Sequence, residues 1–169
     1  MPKTYVIWKW TVYALATLVL FALQYLLLNR LEMWGIRPFL YPMLPAVVSS
    51  YEGLRRGSVF SLCLGLVCDI LLPGPFEGFF AVTFTAVGIL SGRIGESALP
   101  SGWLCGLLVS ALSLLTTGGA RILVQLLARG GHLTLMGRIT LLETLLTLPA
   151  LVIVLPLYRQ VFRKLPNEY

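Results

Sequence analysis

The chain reads as all-α: a polytopic transmembrane helix bundle of about six spans, forming one integral membrane domain over residues 1–169. Three observations carry this. First, 57% of the 169 residues are hydrophobic and only 12% charged, whereas soluble domains run near ~25% charged. Second, the mean hydropathy is +0.86. Third, the apolar residues fall in runs close to the 17–25 or so residues that cross a bilayer. Short loops separate these runs, so six spans use nearly the whole chain and leave no soluble domain.

Span 1 is Trp10–Leu28, closed by Asn29-Arg30. Its 19 residues exceed the roughly 7–15 of a signal-peptide core. Its small-x-small triplet, Ala14-Leu15-Ala16, lies at its start, so it is expected to stay uncleaved. Span 2, about Ile36–Tyr51, contains Pro38, Pro42 and Pro45. Proline removes an amide donor and clashes with the preceding turn. This span is therefore expected to be kinked, short or partly re-entrant, with its freed carbonyls covered by neighbouring helices. A polar loop, Glu52 to Arg56, leads to span 3, Gly57–Leu72, which Pro73-Gly74-Pro75 ends. Span 4 is Phe76–Ile94, interrupted early by Glu77-Gly78, and Glu96 falls in the loop after it. Span 5 runs from Gly102 to about Leu127, long enough to tilt. Span 6 is about Ile139–Phe162 and contains Pro149 and Pro156.

The net charge of +6 suits lysines and arginines at span ends facing lipid headgroups. No basic patch interleaved with aromatics supports nucleic-acid binding. On one side of the expected topology lie Lys3, Lys9, Arg55, Arg56, Arg93, Arg159, Arg163 and Lys164. On the other lie Arg30, Arg37, Arg129 and Arg138, and Arg121 is intramembrane. The positive-inside rule then places both termini in the cytoplasm. Cys63, Cys68 and Cys105 fall inside apolar runs and read as small hydrophobes rather than a disulfide or metal site. His132, the single histidine, sits in a glycine-rich turn and makes a poor metal ligand alone.

Span 3 carries Gly57, Ser61, Gly65 and Asp69 at every fourth position, in one slowly drifting stripe. Gly88 and Gly92 in span 4, and Gly102 and Gly106 in span 5, repeat the theme. Small residues let helix backbones approach closely in lipid. The stripes are read as a helix-packing face, either within the bundle or towards a partner helix. Asp69 lies roughly 18 Å past the start of span 3 at 1.5 Å per residue, where an isolated carboxylate costs about 2.5–3.5 kcal/mol near a helix centre. It is expected to pin the Pro73-Gly74-Pro75 turn through backbone amides; a ligand or proton site is the other reading. Arg121 and Glu143 should lie on adjacent antiparallel helices and share a salt bridge or polar pocket, the alternative being separate snorkelling to headgroups. No segment carries a nucleophile-base-orienter set, a phosphate-binding glycine loop or paired carboxylates. The expectation is a protein without catalysis, cofactor or metal.

The segment RRGSVFSLCLGLVCDILLPGPFEGFFAVTFTAVGILSGRIGE resembles the central signature of the MreD family, the rod shape-determining membrane proteins. The matching positions are Arg55-Arg56-Gly57, Gly65, Asp69, Gly78, Gly88, Gly92 and Arg93. Pro156-Leu157-Tyr158 followed by Arg163 resembles the family's final span, and length and span count fit over nearly the whole chain. Span 2 departs from the family pattern, reading Arg37-Pro38-Phe39 where a Pro-Asp-like step is common. The resemblance implies a component of the bacterial cell-elongation machinery in the cytoplasmic membrane. Its partners would be an MreC-like protein, the MreB filament system, the cell-wall glycosyltransferase and transpeptidase, and membrane lipid. The second reading is the substrate-binding, vitamin-type component of an energy-coupling-factor transporter, to which a six-span bundle of this size is also similar. Those components typically carry a small-xxx-small coupling motif in the first span, and Ala14, Ala16, Thr17 and Ala22 do not make a clean Ala-xxx-Ala here.

Overall fold

A computed structural model describes residues 3–26, 38–97, 103–129 and 133–164. Among them the regular structure is helical: α1 (Lys3–Leu26), α2 (Met43–Leu71), α3 (Phe79–Ser97), α4 (Trp103–Arg129), α5 (Leu133–Thr147) and α6 (Leu151–Lys164). Three segments are long and apolar enough to cross a membrane: Ile7–Leu26, Phe79–Glu96 and Trp103–Ala128. A fourth arises if Thr134–Ala150 and Val154–Gln160, bent by 48°, count as one broken span.

The expected span 2 takes an unexpected form. Residues 43–52 form a short helical arm that continues into α2, and the break comes at Gly53 (φ 79°, ψ −179°). That conformation is essentially restricted to glycine. It folds α2 into two antiparallel arms, 43–52 and 54–71. Ser49 and Ser61 hydroxyls meet across the arms at 3.1 Å. A Cβ on Gly57 would stand 2.5 Å from the Ser49 Cα. The prolines do not kink the arm. Pro42 caps it and Pro45 lies in its first turn, where amides have no intrahelical acceptor to lose.

The first arm is buried on every side. At 1.5 Å per residue it is about 15 Å long, half of a ~30 Å hydrocarbon core. The irregular stretch before it would leave polar backbone unsatisfied, which apolar surroundings do not tolerate. Neighbours supply the bonds. Gln24 Nε2 donates to the Pro38 carbonyl (2.7 Å) and its Oε1 accepts from the Leu40 amide (3.0 Å). The Phe39 amide donates to Thr147 Oγ1 (3.1 Å), and the Ser113 hydroxyl donates to the Pro42 carbonyl.

The expected span 6 is two helices. A 3₁₀ turn, Leu148–Ala150, carrying Pro149, separates α5 from α6. Proline's ring and missing donor account for the bend. Span 4 starts later than expected: Glu77 and Gly78 stay in the loop, and α3 begins at Phe79. An aromatic core of Tyr13, Tyr158, Phe79, Phe80 and Phe84 fills the interior. Large apolar side chains such as Ile7, Leu18, Val82, Leu104 and Leu127 face outward.

Candidate functional site

Three polar constellations, one set of small-residue positions and one trough hold the chemistry that the fold offers. The first escaped sequence reasoning. Lys9, expected as an orienting charge at the membrane surface, is buried and pairs with Glu52 at 2.6 Å, the side chains being 5% and 0% exposed. The Tyr13 hydroxyl donates to the same Glu52 oxygen at 2.7 Å. One turn further along α1, Thr17 Oγ1 meets the Tyr158 hydroxyl at 2.9 Å, tying α1 to α6. Glu52 is therefore no loop residue: it anchors the tip of the α2 hairpin to α1. The spacing of Lys9, Tyr13 and Thr17, each four apart, was the signal, since it puts three polar groups on one helix face. Glu96, also expected in a loop, lies in the last turn of α3 and accepts the Leu54 amide at 2.7 Å. Both carboxylates serve the Gly53 reversal, one from each side.

Asp69 is the second. Its Oδ1 accepts the Phe80 amide and its Oδ2 the Ala81 amide, both at 2.9 Å. The expected Pro73-Gly74-Pro75 amides are not its donors. It reaches past that turn to the free amides of the first turn of α3, where a carboxylate also meets the positive end of the helix dipole. With both oxygens engaged, the side chain clamps α2 to α3.

The third is the set of small-residue positions, which the chain's own helices fill. A Cβ on Gly65 would lie 2.6 Å from the Ala81 Cα and 2.7 Å from the Phe80 carbonyl oxygen. One on Gly92 would lie 2.8 Å from the Leu54 Cα, and one on Gly106 2.5 Å from Leu155 Cδ2. A Cβ on Gly88 would collide with Ser61. Gly57 and Ser61 face the first arm. These residues do not offer a face to a partner helix. Gly102 and His132 lie outside the described residues.

The fourth pairs Arg121 of α4 with Glu143 of α5, Nη1 to Oε1 at 3.5 Å, with side chains 32% and 18% exposed. The Arg121 guanidinium also lies 4.5 Å from the Phe39 ring centroid, a cation–π distance.

Outside these sites, a trough of about 710 Å³ runs between α1 and the second arm of α2. Trp10, Ala14, Phe21, Phe60, Cys63 and Val67 are among its walls. It extends from Trp10 to Phe21 on α1 and from Val59 to Leu71 on α2, roughly 17 Å along each helix axis. Cys63 is exposed, whereas Cys68 and Cys105 are buried. No protein-family model, no curated protein and no solved structure matches the chain.

Proposed function

We propose that the chain is a non-enzymatic membrane component of the bacterial cell-elongation machinery, of the MreD kind. In this reading it crosses the cytoplasmic membrane about six times with both termini inside. It scaffolds peptidoglycan synthesis through helix–helix contacts with an MreC-like protein, beside the MreB filament system. The sequence resemblance over residues 55–96 supports the family, and exposed Arg55, Arg56, Arg93 and Arg159 support the orientation.

The observation that carries a scaffold over a vitamin carrier is the filled centre of the bundle. The first arm of α2 occupies it, buried on all sides, and the arm is tied down by Glu52 and Gln24. A solute carrier needs that volume for its cargo. With the described small-residue positions packed internally, the trough between α1 and α2 is the surface we assign to a partner. Its occupant in this reading is one apolar helix of the MreC-like protein. The trough is long and narrow, as a helix of about three turns requires, and its apolar walls suit van der Waals packing in lipid.

Co-expression tests the reading. Native Cys63 in the trough should form a disulfide with cysteines placed along the partner's membrane helix, and depletion should round the cells. Submicromolar binding of a vitamin by the purified protein would favour the transporter reading instead.

A further inference from the structure

Arg121 stands between two cavities of different character. The inner one is about 10 Å³ and is lined by Thr117, Thr140, Glu143, Thr144, Phe39 and Arg121, among others. That is room for about one water. Thr117, 2% exposed, has a buried hydroxyl oxygen with no hydrogen-bond partner among the described residues. The outer cavity is about 520 Å³ and opens beneath the Pro73-Gly74-Pro75 turn, with Arg121, Gln125 and Met136 on its other side. This lies within the range of ~300–1,000 Å³ that small ligands occupy.

The charges divide unequally between the two. Glu143 lines the inner cavity and is absent from the outer one. Among the described residues, the walls of the outer cavity bring together a guanidinium and an amide, with no carboxylate. Asp69, the nearest acidic residue of α2 to the turn, is spent on the Phe80 and Ala81 amides. Arg121 has donors to spare: a guanidinium carries five N–H groups, and its contact with Glu143 is 3.5 Å, long against the ~2.7–2.9 Å of a charge-assisted hydrogen bond. Glu143 from the inner side and the Phe39 ring together hold the cation in place.

Depth completes the description. Arg121 is 18 residues beyond Trp103 in α4, about 27 Å along the axis. The apolar segment continues to Ala128, so Arg121 lies inside it, about 10 Å short of that end, and Gln125 and Ala128 carry the cavity wall on towards the headgroup layer.

We propose that the outer cavity is a binding site for an anionic, phosphate-bearing group of headgroup size, with Arg121 as its anion-binding residue and Gln125 as a second donor. The guanidinium fork matches phosphate oxygens in a way a point charge does not. The site stands independently of the scaffold reading and requires only that the chain lie in a membrane.

The test is native mass spectrometry of the full chain in detergent, titrated with dioctanoyl phosphatidylglycerol, dioctanoyl phosphatidylcholine and inorganic phosphate. Phosphatidylglycerol should bind saturably and at least about tenfold tighter than phosphatidylcholine, the discrimination expected of hydrogen bonds to a charged group. Arg121→Gln should remove that preference. Arg121→Lys should restore only part of it, and Gln125→Leu should weaken it severalfold. Displacement of the lipid by inorganic phosphate at equal concentration would uphold the phosphate chemistry and assign a soluble source; resistance to displacement assigns the lipid. Equal binding of the two lipids, or an unchanged preference in Arg121→Gln, overturns the proposal. Should Arg121→Gln not fold, Ala128→Phe decides: it puts a ring into the cavity beside Gln125 while leaving the Arg121–Glu143 pair in place, and full lipid binding by that variant overturns the site.

Discussion

Lys9–Glu52 and Arg121–Glu143 each join a cation on one helix to a carboxylate on another, yet they differ in nearly every physical respect. The first is 2.6 Å long with side chains 5% and 0% exposed; the second is 3.5 Å long at 32% and 18%. Tyr13 adds a third group to the first pair, whereas cavities flank the second. Removing one partner of a deeply buried pair leaves the other charge short of compensation. Removing one partner of a wet pair costs little. The hairpin end of the bundle is therefore locked, and the opposite end keeps a cation in reserve.

The sharpest way to break this contrast is Glu52→Gln, which takes the carboxylate charge away from the buried Lys9 ammonium. The expected loss is about 3–5 kcal/mol, read as a fall in the midpoint of denaturant unfolding in detergent. Pairing it with Lys9→Met should recover most of that loss, because apolar replacement of a buried pair is often neutral. A single variant as stable as the parent would mean the pair is hydrated. Gly65→Leu comes next. It drives a side chain into the Ala81 backbone and should cost about 1–3 kcal/mol or more by overpacking. Unchanged stability there would mean that α2 and α3 can separate freely. Asp69→Ala strips two amides of their acceptor and should cost about 1 kcal/mol, as lost helix caps do, with Asp69→Asn retaining part of it. Loss of helicity confined to the start of α3, seen by amide hydrogen exchange, would locate the effect. Arg121→Gln should be the mildest, at most about 1 kcal/mol. A loss as large as that of Glu52→Gln would abolish the distinction between the two ends.

The asymmetry between these pairs also explains what could be read from the sequence. Arg121 and Glu143 each lie well inside an apolar run, so their charges stand out and demand a partner. Lys9 and Glu52 lie at the edges of their runs, where interfacial charges are ordinary, and nothing local distinguishes a buried one from a solvated one. The four-residue spacing of Gly57, Ser61 and Gly65 announces that a backbone comes close. It does not say whether that backbone belongs to the same chain; here it does. The long helices α1, α3 and α4 follow from their apolar runs within a few residues to about seven at one end. The hairpin at Gly53 does not, because three nearby prolines dominate the local signal while the decisive constraint is one glycine, with Glu96 holding the Leu54 amide that follows it. The break at Pro149 is visible as a proline but not as a division into two helices, since the bend depends on how α5 and α6 each pack against α4.

The first arm of α2 has a consequence for how the protein is made. At about 15 Å it is too short to cross a ~30 Å core unaided, so its insertion is tied to that of the second arm, with Gly53 at the apex of the hairpin. It also cannot be enclosed until the helices that surround it exist. Tyr158, the residue that meets Thr17, lies 141 positions downstream. A ribosome that stalls before α6 leaves the Tyr13 and Thr17 side of α1 without its Tyr158 cover. Synthesis of α6 is thus the step that brings Tyr158 over this face of α1, and a product that stops before it carries its own mark of incompleteness.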